Sequence, residues 1–333
     1  MTDLFLGVDG GGTKTHAALM DSHGNILGLG VAATGNWERV GLEASSAALA
    51  DAMDAALAES GHNRGDVTSA TFALAGVDWD SDAHAMQNII GGFGLGCTPT
   101  VMNDAFAVLY AGTPDGVGCA SIAGTGGKTV ARDGVGAAST LGMALGEGGG
   151  AGQIVAEAMR VLAEMQHGQR PATAMLAEVL TATGHTEAES LFQAVARDGF
   201  DLPEAMAPLF FDLASTGDPA AIDVIVTVAR QHATDVLGIV SRLKFSAGPI
   251  SLICAGGLHT AGSSIFNGAF QATISASSHK FTTCILDVVP VVGSLIHAFN
   301  ERCGSIAQEV RDRVIAQALE RNDDFRNAIS RAS

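Results

Sequence analysis

The sequence predicts an α/β fold made of two related halves, each built on a mixed sheet. Short apolar stretches typical of strands alternate with amphipathic helical stretches, which favours helices packed against sheets. Two segments, 7–19 (GVDGGGTKTHAAL) and 121–133 (SIAGTGGKTVARD), share the order strand, glycine-rich turn, Lys-Thr, strand. The chain has 333 residues, of which 47% are hydrophobic, and this is enough to form two cores.

The first half is predicted to open with three strands and to continue with alternating helices and strands. A turn cluster at 21–25 separates the second strand from the third. The predicted strands are 4–8, 13–20, 26–30, 68–75 and 100–102, and the predicted helices are 41–60, 81–90 and 104–110. The order β-β-β-α-β-α-β-α indicates a sheet that mixes antiparallel and parallel strands.

The second half repeats this opening and then becomes helical. Asp218-Pro219 marks the start of a long helix reaching Lys244, because Asp caps helices and proline is favoured at the first helical position. The predicted strands are 117–123, 128–132, 251–255 and 283–288, and the predicted helical regions are 151–245, the segment from Pro290 and 305–333. We expect an N-terminal domain at 1–112 and a C-terminal domain at 113–333, the latter with a helical insertion at about 151–245 and a C-terminal helix.

Composition excludes several classes of partner. Eighteen Lys and Arg residues against 35 Asp and Glu residues give a net charge of −17, which disfavours binding to nucleic acid or to an anionic membrane surface. No apolar run reaches the ~18 residues of a membrane span, and the N-terminus does not resemble a signal peptide. We expect a cytoplasmic protein. The five cysteines lack a CxxC pair, and we expect four of them to be buried free thiols.

Two glycine-rich turns are candidates for holding phosphate groups. Glycines leave the backbone N–H groups open to phosphate oxygens, since no Cβ blocks the approach. The alternative for each is a plain tight hairpin. The second turn is not a P-loop, because that pattern requires glycine at position 122, which is Ile122, and a helix rather than a strand after it. The residues of the two turns are Asp9, Gly10, Gly11, Gly12, Thr13 and Lys14, and Gly124, Thr125, Gly126 and Gly127.

Three further features accompany these turns. Asp104 follows Asn103 at a strand-to-helix junction, where a carboxylate either caps the helix or acts as a general base in a cleft. Gly256 and Gly257 end an apolar strand, where a flat ring can lie against the backbone or the chain simply turns. Gly293 lies in a predicted helix, where a small residue lets another helix approach closely.

In this order, the five elements resemble those of the actin-like ATPase and sugar kinase (ASKHA) superfamily. Within it, the chain from 4 to 299 looks most like the BadF/BadG/BcrA/BcrD-type ATPase family, in the branch of N-acetylglucosamine and glucosamine kinases. The resemblance implies two ribonuclease-H-like domains around a central cleft for ATP, Mg²⁺ and sugar, with the two turns and Gly256-Gly257 binding the nucleotide. It also suggests a homodimer.

The resemblance further implies roles for individual residues. Asp104 would deprotonate a sugar hydroxyl, and Asp9 would hold Mg²⁺ through water. Asn36, Trp37 and Gly76, together with Asp104 and Glu147, would bind the sugar, with Gly41 five residues beyond Asn36 as in such kinases. The implied activity is an ATP-dependent kinase acting on an amino sugar such as N-acetylglucosamine or glucosamine.

Two positions depart from the sugar kinase pattern. Those kinases usually carry Gly-Asp-Glu/Gln-Gly-Ser where this chain has Gly146-Glu147-Gly148-Gly149-Gly150. They also usually carry Gly-Thr-Gly-Ser where this chain has Gly124-Thr125-Gly126-Gly127. The first departure removes a side chain that normally helps to hold the sugar, and the second removes a hydroxyl.

Two other functions remain as alternatives. Activators of 2-hydroxyacyl-CoA dehydratases resemble this family but bind an iron–sulfur cluster between two subunits, which requires a thiolate ligand. Cys119 lies within a predicted strand and is a poor candidate for that ligand. Sugar-sensing repressors of the kinase fold add an N-terminal helix-turn-helix, whereas the first strand here begins at Leu4.

Overall fold

The computed structural model describes residues 3–142, 145 and 147–327. Its first sheet has the order β3-β2-β1-β4-β5. The neighbours β1 and β2, and β2 and β3, are antiparallel, whereas β4 is parallel to both β1 and β5. The strands are β1 (Leu4–Gly10), β2 (Thr15–Asp21), β3 (Ile26–Ala32), β4 (Ser69–Leu74) and β5 (Thr100–Asn103).

The second sheet repeats this topology, with the order β10-β9-β6-β7-β8. Here β7 is antiparallel to β6 and β8, while β9 is parallel to β6 and β10. The strands are β6 (Gly118–Ala123), β7 (Gly127–Arg132), β8 (Ala137–Ser139), β9 (Ile250–Ala255) and β10 (Phe281–Ile285). The shared strand order confirms the α/β fold with two related mixed sheets.

Helices cover the sheets and form the predicted helical region. Asp218 caps α8 by accepting hydrogen bonds from the backbone N–H groups of Ala220 and Ala221 at 2.9 and 3.0 Å. The helices are α1 (Trp37–Ser60), α2 (Asp80–Gly91), α3 (Asp104–Gly112), α4 (Ala151–Gln166), α5 (Ala174–Thr183), α6 (Ala188–Asp198), α7 (Ala207–Ser215), α8 (Pro219–Ser241), α9 (Gly257–Thr260), α10 (Ser264–Ser275), α11 (Val291–Cys303), α12 (Gln308–Glu320) and α13 (Asn322–Asn327).

The first sheet is buried on both faces. One face packs on α1, and Leu49 and Met53 of this helix belong to the same buried cluster as Phe72 of β4. The other face packs on α11 and α12, and the ring of Phe5 lies 4.9 Å from that of Phe299. The C-terminal helices therefore complete the core of the N-terminal sheet, and the division into domains 1–112 and 113–333 stays a prediction.

The close approach expected at Gly293 is present. A β-carbon at this position of α11 would overlap the carbonyl group of Ala107 in α3. The two helices thus pack backbone to backbone beside β1, which fixes the start of α3 relative to the first glycine turn. This contact positions Asp104, the first residue of α3.

Several boundaries differ from the sequence prediction. Helix α1 begins at Trp37, four residues before the predicted start, and passes through a kink at Gly41, where φ is 82°. The last strand lies at Phe281–Ile285, and β8 was not predicted at all because its three residues carry no periodic signal. The polar C-terminal segment forms two helices up to Asn327, and residues 328–333 lie outside the described chain.

All five cysteines are free thiols, but the burial prediction was only partly right. Cys119 and Cys254 are buried in neighbouring strands, whereas Cys284 and Cys303 are exposed. Cys284 lies on β10, an edge strand of the second sheet in which all five residues are at least partly exposed. No helix in the described part of the chain combines the length and the apolar character needed to cross a membrane.

Candidate active site

Both glycine turns open onto one cleft between the two sheets. The cleft has a volume of about 530 Å³. Of the residues singled out from the sequence, those that line it are Gly12, Thr13, Asn36, Gly76, Asp104, Gly124, Thr125, Gly126, Gly127 and Glu147. Residues from positions 12 to 147 therefore meet at one place because the ends of β1, β4, β5 and β6 lie at the same side of the fold.

The first turn joins β1 to β2. It is closed by a hydrogen bond of 3.0 Å from the N–H of Gly11 to the carbonyl of Lys14. Thr34 and Arg39 donate side-chain hydrogen bonds to the carbonyls of Gly11 and Gly12, at 3.0 and 3.1 Å. These bonds fix the two carbonyl groups, and the hydroxyl-bearing Thr13 is exposed at the tip of the turn. Gly10 is the last residue of β1 and is buried.

The second turn joins β6 to β7 and is braced by the start of α4. The N–H of Gly124 donates to the carbonyl of Gly126 at 2.9 Å. The carbonyls of Gly124 and Thr125 accept hydrogen bonds from Ala151 and Gly152 at 2.9 and 3.1 Å. The turn is therefore fixed from behind, and its exposed tip at Thr125 faces the cleft.

Asp104 stands at the N-terminus of α3, but it is not the residue that caps this helix. Asn103 caps it, because its Oδ1 accepts the N–H of Ala105 at 3.0 Å. Burial, with the nearby carboxylates of Asp9 and Asp78, raises the pKa of Asp104 to about 7, while Lys128 acts in the opposite direction. A carboxyl group with this pKa can exchange a proton near neutral pH, which a general base requires.

Lys128 is the centre of a cluster that sequence reasoning missed. Its Nζ donates to Asp78 Oδ1 at 2.8 Å and to the carbonyl of Thr140 at 2.7 Å, and it lies 3.5 Å from Glu147 Oε1. Glu147 also accepts a hydrogen bond from the Thr140 hydroxyl. Burial raises the pKa of Glu147, an effect that Thr140 and Lys128 oppose. The sequence signals were that Lys128 belongs to the repeated segment 121–133 and that Asp78 follows Gly76 by two positions.

Of the residues expected to bind the sugar, Asn36 and Gly76 line the cleft and Trp37 does not. Asn36 caps α1 by accepting the N–H of Glu38 at 3.0 Å. Trp37 does not line the cleft, and its Nε1 donates to the carbonyl of Gly76 at 2.7 Å. Trp37 therefore supports the turn at Gly76 from behind.

A second cavity, with a volume of about 1100 Å³, adjoins the cleft. It shares Gly124, Thr125 and Glu204 with the cleft. Its other walls come from α7, α9 and α10, with Gly257 among them. Gly256 lies behind this wall, where a β-carbon would overlap the Ala123 carbonyl at the end of β6. The strand-to-glycine segment therefore lies beside this cavity, whereas Glu204 in the helical region carried no sequence signal.

Asp9, the residue expected to serve a metal ion, is buried near the end of β1, 3.8 Å from His16 Nδ1. Among the described residues, no group of three or more His, Cys, Asp or Glu side chains is arranged to hold a metal ion by itself. Mg²⁺ is usually bound through one or two carboxylates, with phosphate oxygens and water supplying the other ligands. The carboxylate of Asp9 is near enough to Asp104 to raise the pKa of that carboxyl group.

A family model for the "BadF/BadG/BcrA/BcrD ATPase family" matches residues 6–298. The chain is similar to an N-acetyl-D-glucosamine kinase of Dictyostelium discoideum, with 24% identity over 256 residues, which cover 72% of this chain and 80% of that protein.

Two solved structures share the fold. A putative N-acetylglucosamine kinase from Chromobacterium violaceum is 20% identical, with a TM-score of 0.62, and the match covers 88% of this chain and 98% of that one. A ROK family glucokinase from Streptomyces griseus, solved with glucose and AMPPNP, is 19% identical with a TM-score of 0.53, covering 89% and 98%. The expected actin-like ATPase fold is therefore confirmed.

Proposed function

The chain belongs to the BadF/BadG/BcrA/BcrD ATPase family, and on this premise we propose that it is an ATP-dependent sugar kinase. It transfers the γ-phosphate of ATP to a hydroxyl group of an amino sugar such as N-acetylglucosamine or glucosamine. The observation that carries the proposal is the position of Asp104, which faces a cleft bounded by both glycine turns. The similarity to the Dictyostelium kinase supports the choice of substrate.

The reaction is a direct phosphoryl transfer. Asp104 accepts the proton of the sugar hydroxyl, whose oxygen attacks the γ-phosphorus of ATP, and ADP leaves. The backbone of the turns at 10–13 and 124–127 orients the phosphates, and the second cavity receives the adenosine. Catalysis of this kind comes mainly from positioning and charge stabilisation. The pKa of about 7 for Asp104 gives a mixture of acid and base forms at neutral pH.

Mg²⁺ is part of this proposal. When bound, it would neutralise negative charge on the phosphate groups, which is its general role in phosphoryl transfer. Asp9 would hold it through water from the end of β1. Buried between β2 and β4, Asp9 keeps a fixed position relative to Asp104.

The sugar lies at the Asn36, Gly76 and Glu147 end of the cleft in this proposal. Glu147 is held by Lys128 and Thr140, and Gly76 is held by Trp37, so both present a fixed surface. The dehydratase-activator alternative needs an accessible thiolate. Cys119, which lies just before the second turn, is fully buried in β6, and burial raises the pKa of its thiol, which disfavours that residue as the ligand. The exposed thiols are those of Cys284 and Cys303.

ADP release measured by a coupled assay across a panel of sugars tests the proposal. We expect slow turnover of ATP alone and a marked increase with glucosamine or N-acetylglucosamine. The sugar phosphate should appear in equal amount with ADP. If no sugar in the panel raises ADP release, the kinase proposal is wrong.

A further inference from the structure

Helix α8 runs behind the segment that carries Glu147 into the wall of the cleft. We propose that Asp235 of α8 is a positioning residue of the sugar site: its carboxylate holds the backbone at Gly148 and thereby fixes Glu147 where the sugar binds. This inference rests on the kinase function proposed above. Asp235 itself does not line the cleft, so it acts through Glu147.

The carboxylate of Asp235 is bound through both of its oxygens. Its Oδ2 accepts a hydrogen bond of 2.9 Å from the N–H of Gly148, and its Oδ1 accepts one of 3.1 Å from Gln231 Nε2. Gln231 and Asp235 are one helical turn apart, which places them on the same face of α8. A hydrogen bond from a backbone N–H to an ionised carboxylate is about twice as strong as one between neutral groups. Both the position and the direction of the Asp235 carboxylate are therefore fixed.

The peptide group between Glu147 and Gly148 is held from both sides. Gln153 Nε2 of α4 donates to its carbonyl at 2.5 Å, and Asp235 accepts from its N–H. The three residues that follow Glu147 are glycines, and glycine has the largest backbone freedom to lose on folding. Without side chains to pack, this segment depends on such backbone bonds for its position.

The space beside Gly148 is filled by α8. A β-carbon at this position would lie 2.8 Å from Gln231 Cγ and 3.0 Å from Asp235 Oδ2. The sugar kinase pattern usually has Glu or Gln here, and a side chain of that size would displace Asp235 from the Gly148 N–H. The glycine at position 148 and the carboxylate at position 235 therefore depend on each other.

Loss of the Asp235 contact should act on the sugar more than on ATP. Glu147 lines the cleft 3.5 Å from Lys128 Nζ, and a sugar hydroxyl bound there must lie within hydrogen-bond distance of its carboxylate. A shift of the backbone at Glu147 changes that distance. The second glycine turn keeps its own bonds to the N–H groups of Ala151 and Gly152, which do not involve Asp235.

The test compares steady-state kinetics of the wild type with those of Asp235→Ala and Asp235→Asn, using glucosamine or N-acetylglucosamine, whichever the wild type phosphorylates. For Asp235→Ala we expect the KM for the sugar to rise about tenfold, as the loss of one charge-assisted hydrogen bond predicts, and the KM for ATP to change less than about twofold. Asp235→Asn keeps an oxygen that can accept the Gly148 N–H, so its sugar KM should rise by no more than about threefold.

Asp223→Ala is the matched control on the same helix. Asp223 also forms an ion pair, with Arg170 at 2.9 Å, but it lies about 18 Å along α8 from Asp235. Both KM values should match those of the wild type. A rise in the sugar KM of Asp223→Ala equal to that of Asp235→Ala would reduce the role of Asp235 to general stability and overturn the inference.

The remaining outcomes separate the inference from the function on which it rests. A wild-type sugar KM in Asp235→Ala would overturn the role of Asp235 and leave the kinase proposal intact. If thermal unfolding shows that Asp235→Ala does not fold, Gly148→Ala decides the matter. Its β-carbon pushes Asp235 and Gln231 away from the backbone while both side chains remain present, so the sugar KM should rise, and a wild-type value would overturn the inference. Absence of sugar-dependent ADP release in the wild type would overturn both.

Discussion

The backbone of Gly127 passes so close to the carbonyl group of Gly148 that no β-carbon fits between them. A β-carbon at Gly149 would likewise overlap the ring of His232, and a β-carbon at Gly150 would overlap the backbone of Gly126. The segment 148–150 is therefore packed between the second glycine turn and α8. The two departures from the usual kinase pattern, at positions 127 and 148, belong to this one contact.

Gly127→Ser is expected to weaken ATP binding and destabilise the protein. The new β-carbon would force the turn at 124–127 and the segment 148–150 apart, and overpacking of this kind costs about 1–3 kcal/mol. The KM for ATP should rise more than the KM for the sugar. Thermal unfolding and steady-state kinetics measure the two effects.

Gly268→Ala provides the control for this substitution. Gly268 lies in α10, and a β-carbon there meets nothing within 4 Å. Alanine should stabilise the helix slightly, by up to about 1 kcal/mol, and leave kinetics unchanged. Wild-type ATP kinetics in Gly127→Ser would show that the usual serine fits this turn after all.

Asp104→Asn should abolish most sugar phosphorylation while ATP binding stays close to normal. The amide cannot accept the proton of the sugar hydroxyl, and loss of a general base typically lowers the rate ~10²–10⁴-fold. The fold should persist because Asn103 rather than Asp104 caps α3. The measurements are kcat and the Kd for ATP, with the exposed Asp51→Asn as control. Full activity in the Asp104→Asn variant would remove Asp104 from the mechanism.

The same substitution should change how stability depends on pH. The pKa of Asp104 is about 7 in the folded protein and 3.8 in the reference state. Because the folded-state pKa is raised, folding favours the protonated form, and its contribution to stability is lost as pH rises from about 4 through 7. Asp104→Asn should therefore gain in Tm relative to wild type as pH increases over this range. A Tm difference independent of pH would contradict the raised pKa.

Trp37→Phe should raise the KM for the sugar without changing the KM for ATP. It removes the 2.7 Å hydrogen bond to the Gly76 carbonyl, which typically costs about 1 kcal/mol of stability. The turn at Gly76 would then hold its position less firmly beside the cleft. Trp79→Phe is the control, since Trp79 is 51% exposed. Equal effects of the two substitutions on the sugar KM would argue against a supporting role for Trp37.

The sequence alone determined the turns and helix ends, because these depend on interactions between residues that are adjacent in the chain. Runs of glycine beside Lys-Thr predict turns, because turn chemistry depends on a few adjacent residues, and both turns lie where they were predicted. The Asp218-Pro219 pair marked the start of α8 for the same reason. The strand, glycine turn and strand that open both halves predicted two related sheets, and the two sheets have the same strand order.

Tertiary structure alone decided which side chains meet. Lys128 pairs with Asp78, 50 positions earlier in the chain, and with Glu147, after β8, a strand too short to carry a signal. Asn103 rather than Asp104 caps α3. The side chain of Trp37 binds the carbonyl of Gly76 and does not line the cleft. These outcomes depend on how two sheets and the helices between them pack, and packing is set by contacts between residues far apart in sequence, which no local pattern records.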